Sequence, residues 1–263
     1  TLTRSSAASD VYKRQHPAAT RARSENVEII SEVEVALRSS SKALLVVVTG
    51  TNGKSTTTAL IGHCLAQAGK AVAVGGNIGQ PACLLNDPGP NGVIVLELSS
   101  YQLENTPTLK PGISIILNIS GDHLERHAGM TGYIAAKAKV LSALTYDGVA
   151  ILGQADRHVK QLANDCIKRG LTTLLAKKDN APVGYHQCAA LRGDHNAENA
   201  AAAALALQKL GLTENQINAG MANFAGLPHR LEHIATIEQV NFVNDSKATN
   251  GVAAAKAVAA FSN

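Results

Sequence analysis

The chain has 263 residues, 45% hydrophobic and 17% charged, enough to bury a sizeable core in one large domain or two smaller ones. Its net charge is only +4, and five basic residues (Arg4, Lys13, Arg14, Arg21, Arg23) fall in the first 23 positions, so the remainder is close to neutral; with 3% aromatics and no Trp, this excludes a nucleic-acid partner bound by phosphate neutralisation or base stacking. Cys64, Cys83, Cys166 and Cys188 lack zinc-like spacing, no apolar run reaches the ~18 residues of a membrane span, and the first residues lack a signal-peptide layout, so unpaired thiols, no membrane insertion and a cytoplasmic location are expected.

In chain order, residues 1–23 show no hydrophobic period and are read as a disordered or non-native leader. "VEIISEVEVAL" predicts a short strand and a helix. "ALLVVVTG" is a continuous apolar run of strand length, as expected for a strand buried on both faces. A helix is predicted over 55–68, ending at Gly69, and then strands in "AVAVGGNIG", "GVIVLELSS" and "ISIILNIS". "TGYIAAKAKVLSAL" reads as a helix with Thr131 as N-cap, "GVAILGQAD" as a fifth strand, and "HNAENAAAALALQKLGL" as a helix stopped at Gly211. "VNFVND" and "GVAAAKAVAAF" close the chain as strand and helix. Alternating strands and helices predict an α/β fold, a mostly parallel sheet flanked by helices, with its site at the carboxyl ends of the strands.

The loop after the first long strand, "TGTNGKSTT", has the chemistry of a phosphate cradle. Backbone N–H groups and a helix N-terminus attract anions, Lys54 can reach terminal phosphates, and Ser55 can ligate Mg²⁺. Gly53-Lys54-Ser55 matches the end of a P-loop, but Val48 stands at the usual first glycine and Gly50 supplies the turn instead. Glu97, at the end of a buried strand, is costly unless it meets a cation or faces water. His123 and His127 lie one helical turn apart, a spacing able to bind a transition metal, although His127 is read as a solvated helix residue.

Seven stretches, "TGTNGKSTTTAL", "GGNIG", "LELSSYQLE", "ILNISGDHLERH", "GDHNAENAAAAL", "GLPHRLE" and "NDSKATN", come in the order and spacing of the Mur ligases, the amide-forming enzymes of peptidoglycan precursor synthesis, which the chain resembles from about residue 24 to its end. The resemblance implies a P-loop-type central ATPase domain over 44–226. It also implies a remnant of an N-terminal UDP-substrate domain over 24–43 and the start of a second, Rossmann-like α/β domain over 227–263. ATP and Mg²⁺ are the implied cofactors. Within the family the motifs are most similar to the members that join D-glutamate to UDP-N-acetylmuramoyl-L-alanine through an acyl phosphate, and a monomer acting on these small molecules is expected. A stretch lacking both flanking domains is expected not to ligate by itself. A folylpolyglutamate synthetase-like ligase and a non-catalytic nucleotide-binding module are the alternatives.

Carried over position by position, the resemblance implies ATP contacts for Gly50, Thr51, Asn52, Gly53, Lys54, Ser55 and Thr56. It implies adenine contacts for Asn196 and Asn199, phosphate or ribose contact for Arg230, and further nucleotide contacts for Asp245 and Lys247. Ser55, Glu97 and His123 are implied metal ligands, with Asp122 orienting His123. Lys137 is implied to be carbamylated and to join them, although a lysine among alanines on a helix ordinarily snorkels to the surface; carbamylation needs a neutral amine and therefore burial. Asn77, Ser99, Gln102 and Thr249 are implied to line the substrate. From the residues alone, Asn196 also suits an N-cap and Arg230 a surface ion pair.

Overall fold

The computed structural model describes residues 16–39 and 41–261. Most of the expected leader, including Arg4, Lys13 and Arg14, lies outside the described residues. Its last part is helical rather than disordered: α1 (Pro17–Ser24) starts with proline at its first position, His16 Nδ1 accepts from Ala18 N–H, and Arg21 pairs with Glu25 at 2.8 Å. These local contacts suffice for a helix with no buried residue. In "VEIISEVEVAL" only the helix forms, α2 (Glu32–Arg38), with the Ser31 hydroxyl accepting from Glu34 N–H and acidic residues in the first turn. The strand expected before it is absent among the described residues, because Val27 and Ile29 are exposed and no sheet edge pairs with them.

The sheet begins at β1 (Leu44–Thr49), after which the glycine loop enters α3 (Lys54–Gln67). There follow β2 (Val72–Gly76), β3 (Val93–Glu97), the short α4 (Ser100–Glu104) and β4 (Ile113–Ile116). Next come α5 (Met130–Ser142), β5 (Val149–Gly153), α6 (Arg157–Lys168) and β6 (Thr172–Ala176). α7 (Val183–Gln187), α8 (Asp194–Lys209) and α9 (Glu214–Ala222) complete this part. All six strands are parallel, in the order β2-β3-β1-β4-β5-β6.

Residues of opposite parity on each strand feed two cores. Val46 and Val48 face Leu60, Ile61, Leu65 and the alanine face of α8. Leu45 and Val47 face Val33 of α2, Tyr133 and Val140 of α5, and Val159 of α6. A strand covered on both sides has no polar face, and the unbroken run in β1 reflects that. Gly62 and Gly220 bring α3 close to its neighbours, since a Cβ at either would strike Val74 Cγ2 at 2.3 Å or Cys64 Sγ at 2.7 Å.

β1 lies between β3 and β4: the connection after β1 runs to β2 at one edge, whereas the connection after β3 crosses to β4 on the other side of β1. That divergence opens a crevice, and the loops after β1, β3 and β4 border it. Beyond α9, β7 (Glu232–Ile237) and β8 (Val240–Asn244) form an antiparallel hairpin, followed by α10 (Gly251–Ala259). No helix among the described residues is long and apolar enough to cross a membrane.

Candidate nucleotide and cation site

At the end of β1 the chain turns through Gly50 (φ +147°) and Gly53 (φ +86°), backbone angles that strain any side chain. Gly53 caps α3 without a side-chain hydrogen bond, so the first N–H groups of a 14-residue helix point into the crevice with the positive end of the helix dipole. Asn199 of α8 packs onto Gly53 from behind, within 2.4 Å of where a Cβ would stand. Its Nδ2 donates to Asn196 Oδ1 (3.0 Å), and Asn196 donates to Arg192 O (3.0 Å). Asn196 is therefore not the N-cap of α8, a place taken by Gly193.

Lys54 folds back over its own loop, and its Nζ donates to Gly50 O (3.1 Å) and Thr51 O (2.9 Å). Lys137 reaches the same Gly50 oxygen at 2.7 Å from the middle of α5 and is only 2% exposed. Surface snorkelling is thereby excluded for Lys137. Burial, and then the charge of Lys54, push its pKa well below the usual lysine range, against a weaker opposing pull from Asp122 and Glu97. Burial also lowers Lys54, while Glu97 opposes the shift.

Glu97, 2% exposed, holds Asn77 Nδ2 on one oxygen at 2.9 Å. Its other oxygen, Oε2, is buried with no hydrogen-bond partner. A buried carboxylate oxygen left this way is what a cation would satisfy. The Glu97 carboxylate and the Ser55 hydroxyl are both hard oxygen donors, suited to Mg²⁺ when phosphate supplies the rest. Among the described residues no three His, Cys, Asp or Glu side chains cluster as a metal site, so a transition-metal reading of the histidines gains no support.

The C-terminal segment reaches the loop at two points. Arg230 Nη2 donates to Ser55 Oγ (2.9 Å), and Asn250 Nδ2 to Asn52 Oδ1 (3.3 Å). Asp245 Oδ1 accepts from Leu231 N–H, fixing the turn that carries Arg230, while the backbone of Lys247 donates to His229 O. The Lys247 and Thr249 side chains are exposed, and Thr56 is half-buried in the first turn of α3.

Some expected residues are engaged elsewhere. Ser99 and Gln102 bond each other in a capping box that starts α4. Asp122 and His123 lie 3.6 Å apart, too far for a hydrogen bond, and the partly exposed His123 sits at φ +52° against the Tyr101 ring. Thr131 lies within α5, whose N-cap is Gly129. His127 is neither solvated nor helical: it lies in a turn and is 5% exposed, with Nε2 on Ser100 Oγ and Nδ1 on Glu104 Oε1. The i,i+4 spacing suggested a helix, but the turn through Ala128 (φ +54°) aims His127 inward.

Sequence reasoning missed Asn118. Its Oδ1 accepts from Asn52 N–H and its Nδ2 donates to Asn52 O, while its own carbonyl accepts from Thr51 N–H. With Thr51 Oγ1 donating to Ser120 O, this sews the loop after β1 to the loop after β4. The available signal was a polar residue ending an apolar strand. Glu198, whose Oε1 accepts from Gln154 and Ala155 N–H, was also missed; it holds the loop after β5. A cavity of about 750 Å³, lined by Leu103, Glu104, Pro107, Lys110 and Tyr146 among others, contains none of the phosphate-loop residues and neither Glu97 nor Lys137.

The Mur ligase middle domain matches residues 48–187, just over half the chain. The chain is 43% identical over 251 residues to the UDP-N-acetylmuramoylalanine–D-glutamate ligase of Sphingopyxis alaskensis, covering 94% of this chain and 57% of that protein. It is 39% identical over 268 residues to the same-named ligase of Paramagnetospirillum magneticum, covering 95% and 59%. The chain thus spans less than three-fifths of the length of these relatives. Among solved structures, MurF from Acinetobacter baumannii superposes with a TM-score of 0.69 at 19% identity, covering 87% of this chain and 56% of that one. Mycobacterium tuberculosis folylpolyglutamate synthase, solved with ADP and AMPPCP, gives 0.65 at 16%, covering 87% and 69%. These two likenesses are of fold alone. With the Mur ligase middle domain matched over more than half of its length, the chain belongs to the Mur ligase family.

Proposed function

We propose that this chain is the ATP-handling part of a ligase that joins D-glutamate to UDP-N-acetylmuramoyl-L-alanine in cytoplasmic peptidoglycan precursor synthesis. The observation that carries the reading is the convergence of Lys54 and Lys137 on Gly50 O at the open end of β1, beside a buried carboxylate with an unpaired oxygen. In the domain division that accompanies it, 44–226 is the ATP-binding domain, 24–43 belongs to a UDP-substrate domain, and 227–263 opens a C-terminal domain. The working unit is a monomer.

The chemical difficulty is bringing a carboxylate up to a triphosphate. The N–H groups at the start of α3 receive phosphate oxygens, and Lys54 leaves the loop carbonyls to follow them. Arg230, released from Ser55, adds a second positive group. Glu97 and Ser55 would hold Mg²⁺, with His123 and a carbamylated Lys137 holding a second ion. Bound there, Mg²⁺ would neutralise phosphate charge as the transferred group loosens. A carboxylate oxygen of the L-alanyl end forms a bond to the γ-phosphorus as the bond to ADP breaks. The D-glutamate amine then attacks the acyl carbonyl, loses a proton and expels phosphate. Asn196 and Asn199 flank the adenine, with Asp245 and Lys247 near the nucleotide; Asn77, Ser99, Gln102 and Thr249 lie toward the nucleotide sugar.

The test uses the chain extended to the length of its relatives. UDP-N-acetylmuramoyl-L-alanine labelled with ¹⁸O in its carboxylate is turned over with ATP and D-glutamate. One ¹⁸O per turnover is expected in the released phosphate. Unlabelled phosphate, or turnover with a folate acceptor in its place, overturns the reading.

A further inference from the structure

Ser100, His127 and Glu104 lie in the order of a hydrolase triad: Ser100 Oγ is 2.9 Å from His127 Nε2, and His127 Nδ1 is 3.1 Å from Glu104 Oε1. Hydrolysis is not what they do. Ser100 is 3% exposed and His127 hardly more, so no substrate reaches the hydroxyl. A carboxylate only accepts, so Nδ1 carries a proton, and in the neutral ring Nε2 accepts from Ser100. Both ring nitrogens are thereby committed and the imidazole plane is set.

That plane carries two aromatic rings. Tyr101 stacks on His127 at 5.5 Å and meets His123 at 5.3 Å. Tyr133 lies 5.3 Å from His127, its ring 4.7 Å from Lys137 Nζ, and its hydroxyl shares a 3.2 Å hydrogen bond with Thr51 Oγ1 of the phosphate loop. The fold makes room for this arrangement at Gly132, where a Cβ would stand 1.8 Å from His127 O. The turn holding His127 also contains two left-handed residues, His123 and Ala128, which persist only when their surroundings over-determine them.

We propose that His127, fixed by Ser100 and Glu104, is a positioning residue that sets Tyr101 against His123 and Tyr133 against Lys137 and Thr51. The inference deepens the ligase reading and rests on it for its consequence on turnover. The placement of Lys137 is open to a separate measurement.

The test compares wild type, His127→Ala and His127→Phe in the extended chain, with the folded fraction of each measured by far-ultraviolet circular dichroism. His127→Phe keeps a ring of similar bulk and loses both hydrogen bonds. In His127→Ala, kcat per folded molecule is expected to fall about 10–100-fold, as when an outer-shell partner is lost, with KM for the nucleotide sugar within about two-fold. His127→Phe is expected to recover part of kcat. Independently, Lys137 labelling by cyanate, followed by mass spectrometry, is expected to change at least about three-fold in His127→Ala relative to the exposed Lys160 and Lys168 as internal standards. Lys137 labelling equal to wild type overturns the proposal, as does a kcat loss that vanishes once corrected for folded protein. Should the extended wild-type chain not ligate, the ligase reading falls and the labelling still decides the role of His127.

Discussion

Lys54 and Lys137 donate to one acceptor, the carbonyl oxygen of Gly50, from 3.1 and 2.7 Å. Two full charges so placed in a buried site would repel strongly, and the pair resolves this unequally. Burial lowers the pKa of both lysines, and the charge of Lys54 helps to push that of Lys137 well below the usual lysine range. A neutral Lys137 amine, which carbamylation would require, is thus favoured by its burial and by the neighbouring charge. A neutral amine still donates to Gly50 O, and it leaves Lys54 as the mobile cation of the loop.

Replacing Lys54 by Ala in the extended chain is expected to remove ~3–4 kcal/mol of transition-state stabilisation, a loss of about a hundred- to a thousand-fold in kcat. Single-turnover ADP formation reads the chemical step directly. Normal turnover in this variant would contradict the assignment of Lys54.

The proton balance at Lys137 makes a stability prediction. Its folded pKa lies well below the 10.5 of an ordinary lysine, so between those values the unfolded chain holds more protons than the folded one. Stability at this site therefore rises with pH across that window and levels off above 10.5. Lys137→Met should flatten the rise of melting temperature measured from about pH 7 to 10 and raise the melting point most at the low end. Parallel curves for the two proteins would sink the claim.

Gly53→Ala combines two penalties. The left-handed φ of +86° costs a side chain about 1–2 kcal/mol, and the new methyl displaces Asn199 from 2.4 Å. We expect a melting temperature lower by several degrees and a loss of ADP binding by calorimetry. Retained affinity would mean that the loop closes without this close approach.

Arg230→Ala removes the hydrogen bond to Ser55 that ties the hairpin to the phosphate loop. At this half-buried position the bond contributes roughly 1 kcal/mol. Limited proteolysis should cut within 227–250 faster than in wild type, with cleavage elsewhere unchanged. An unaltered cleavage pattern would show that the segment is held by other contacts.

How far the sequence could be read depended on how far apart the interacting residues lie. Five parallel strands were legible because each carries an apolar run, and in β1, β3, β4 and β5 that run is largely buried; β6, half-exposed at the sheet edge, opens on two threonines instead. α6 went unread although Val159, Ala163 and Cys166 recur at helical spacing, and β7 because its exposed hairpin has little to bury. The phosphate loop is local, and its strand, glycines and helix announced it. Asn118 and Asn52 are 66 positions apart and His127 and Ser100 are 27 apart, so no spacing rule connects them. Lys137 looks like a surface lysine until α5 is packed onto the sheet.

The central place of β1 has a consequence for biosynthesis. Its register with β3 pairs residues about fifty positions apart, and its pairing with β4 comes later still. At ~5–20 residues per second, the ribosome leaves this valine-rich strand without either neighbour for several seconds. Through that interval it offers two bare hydrogen-bonding edges to any other nascent copy. Self-association during translation is therefore governed by how quickly β3 emerges, and slowing elongation between the two strands should lower the soluble yield while leaving the finished protein's stability untouched.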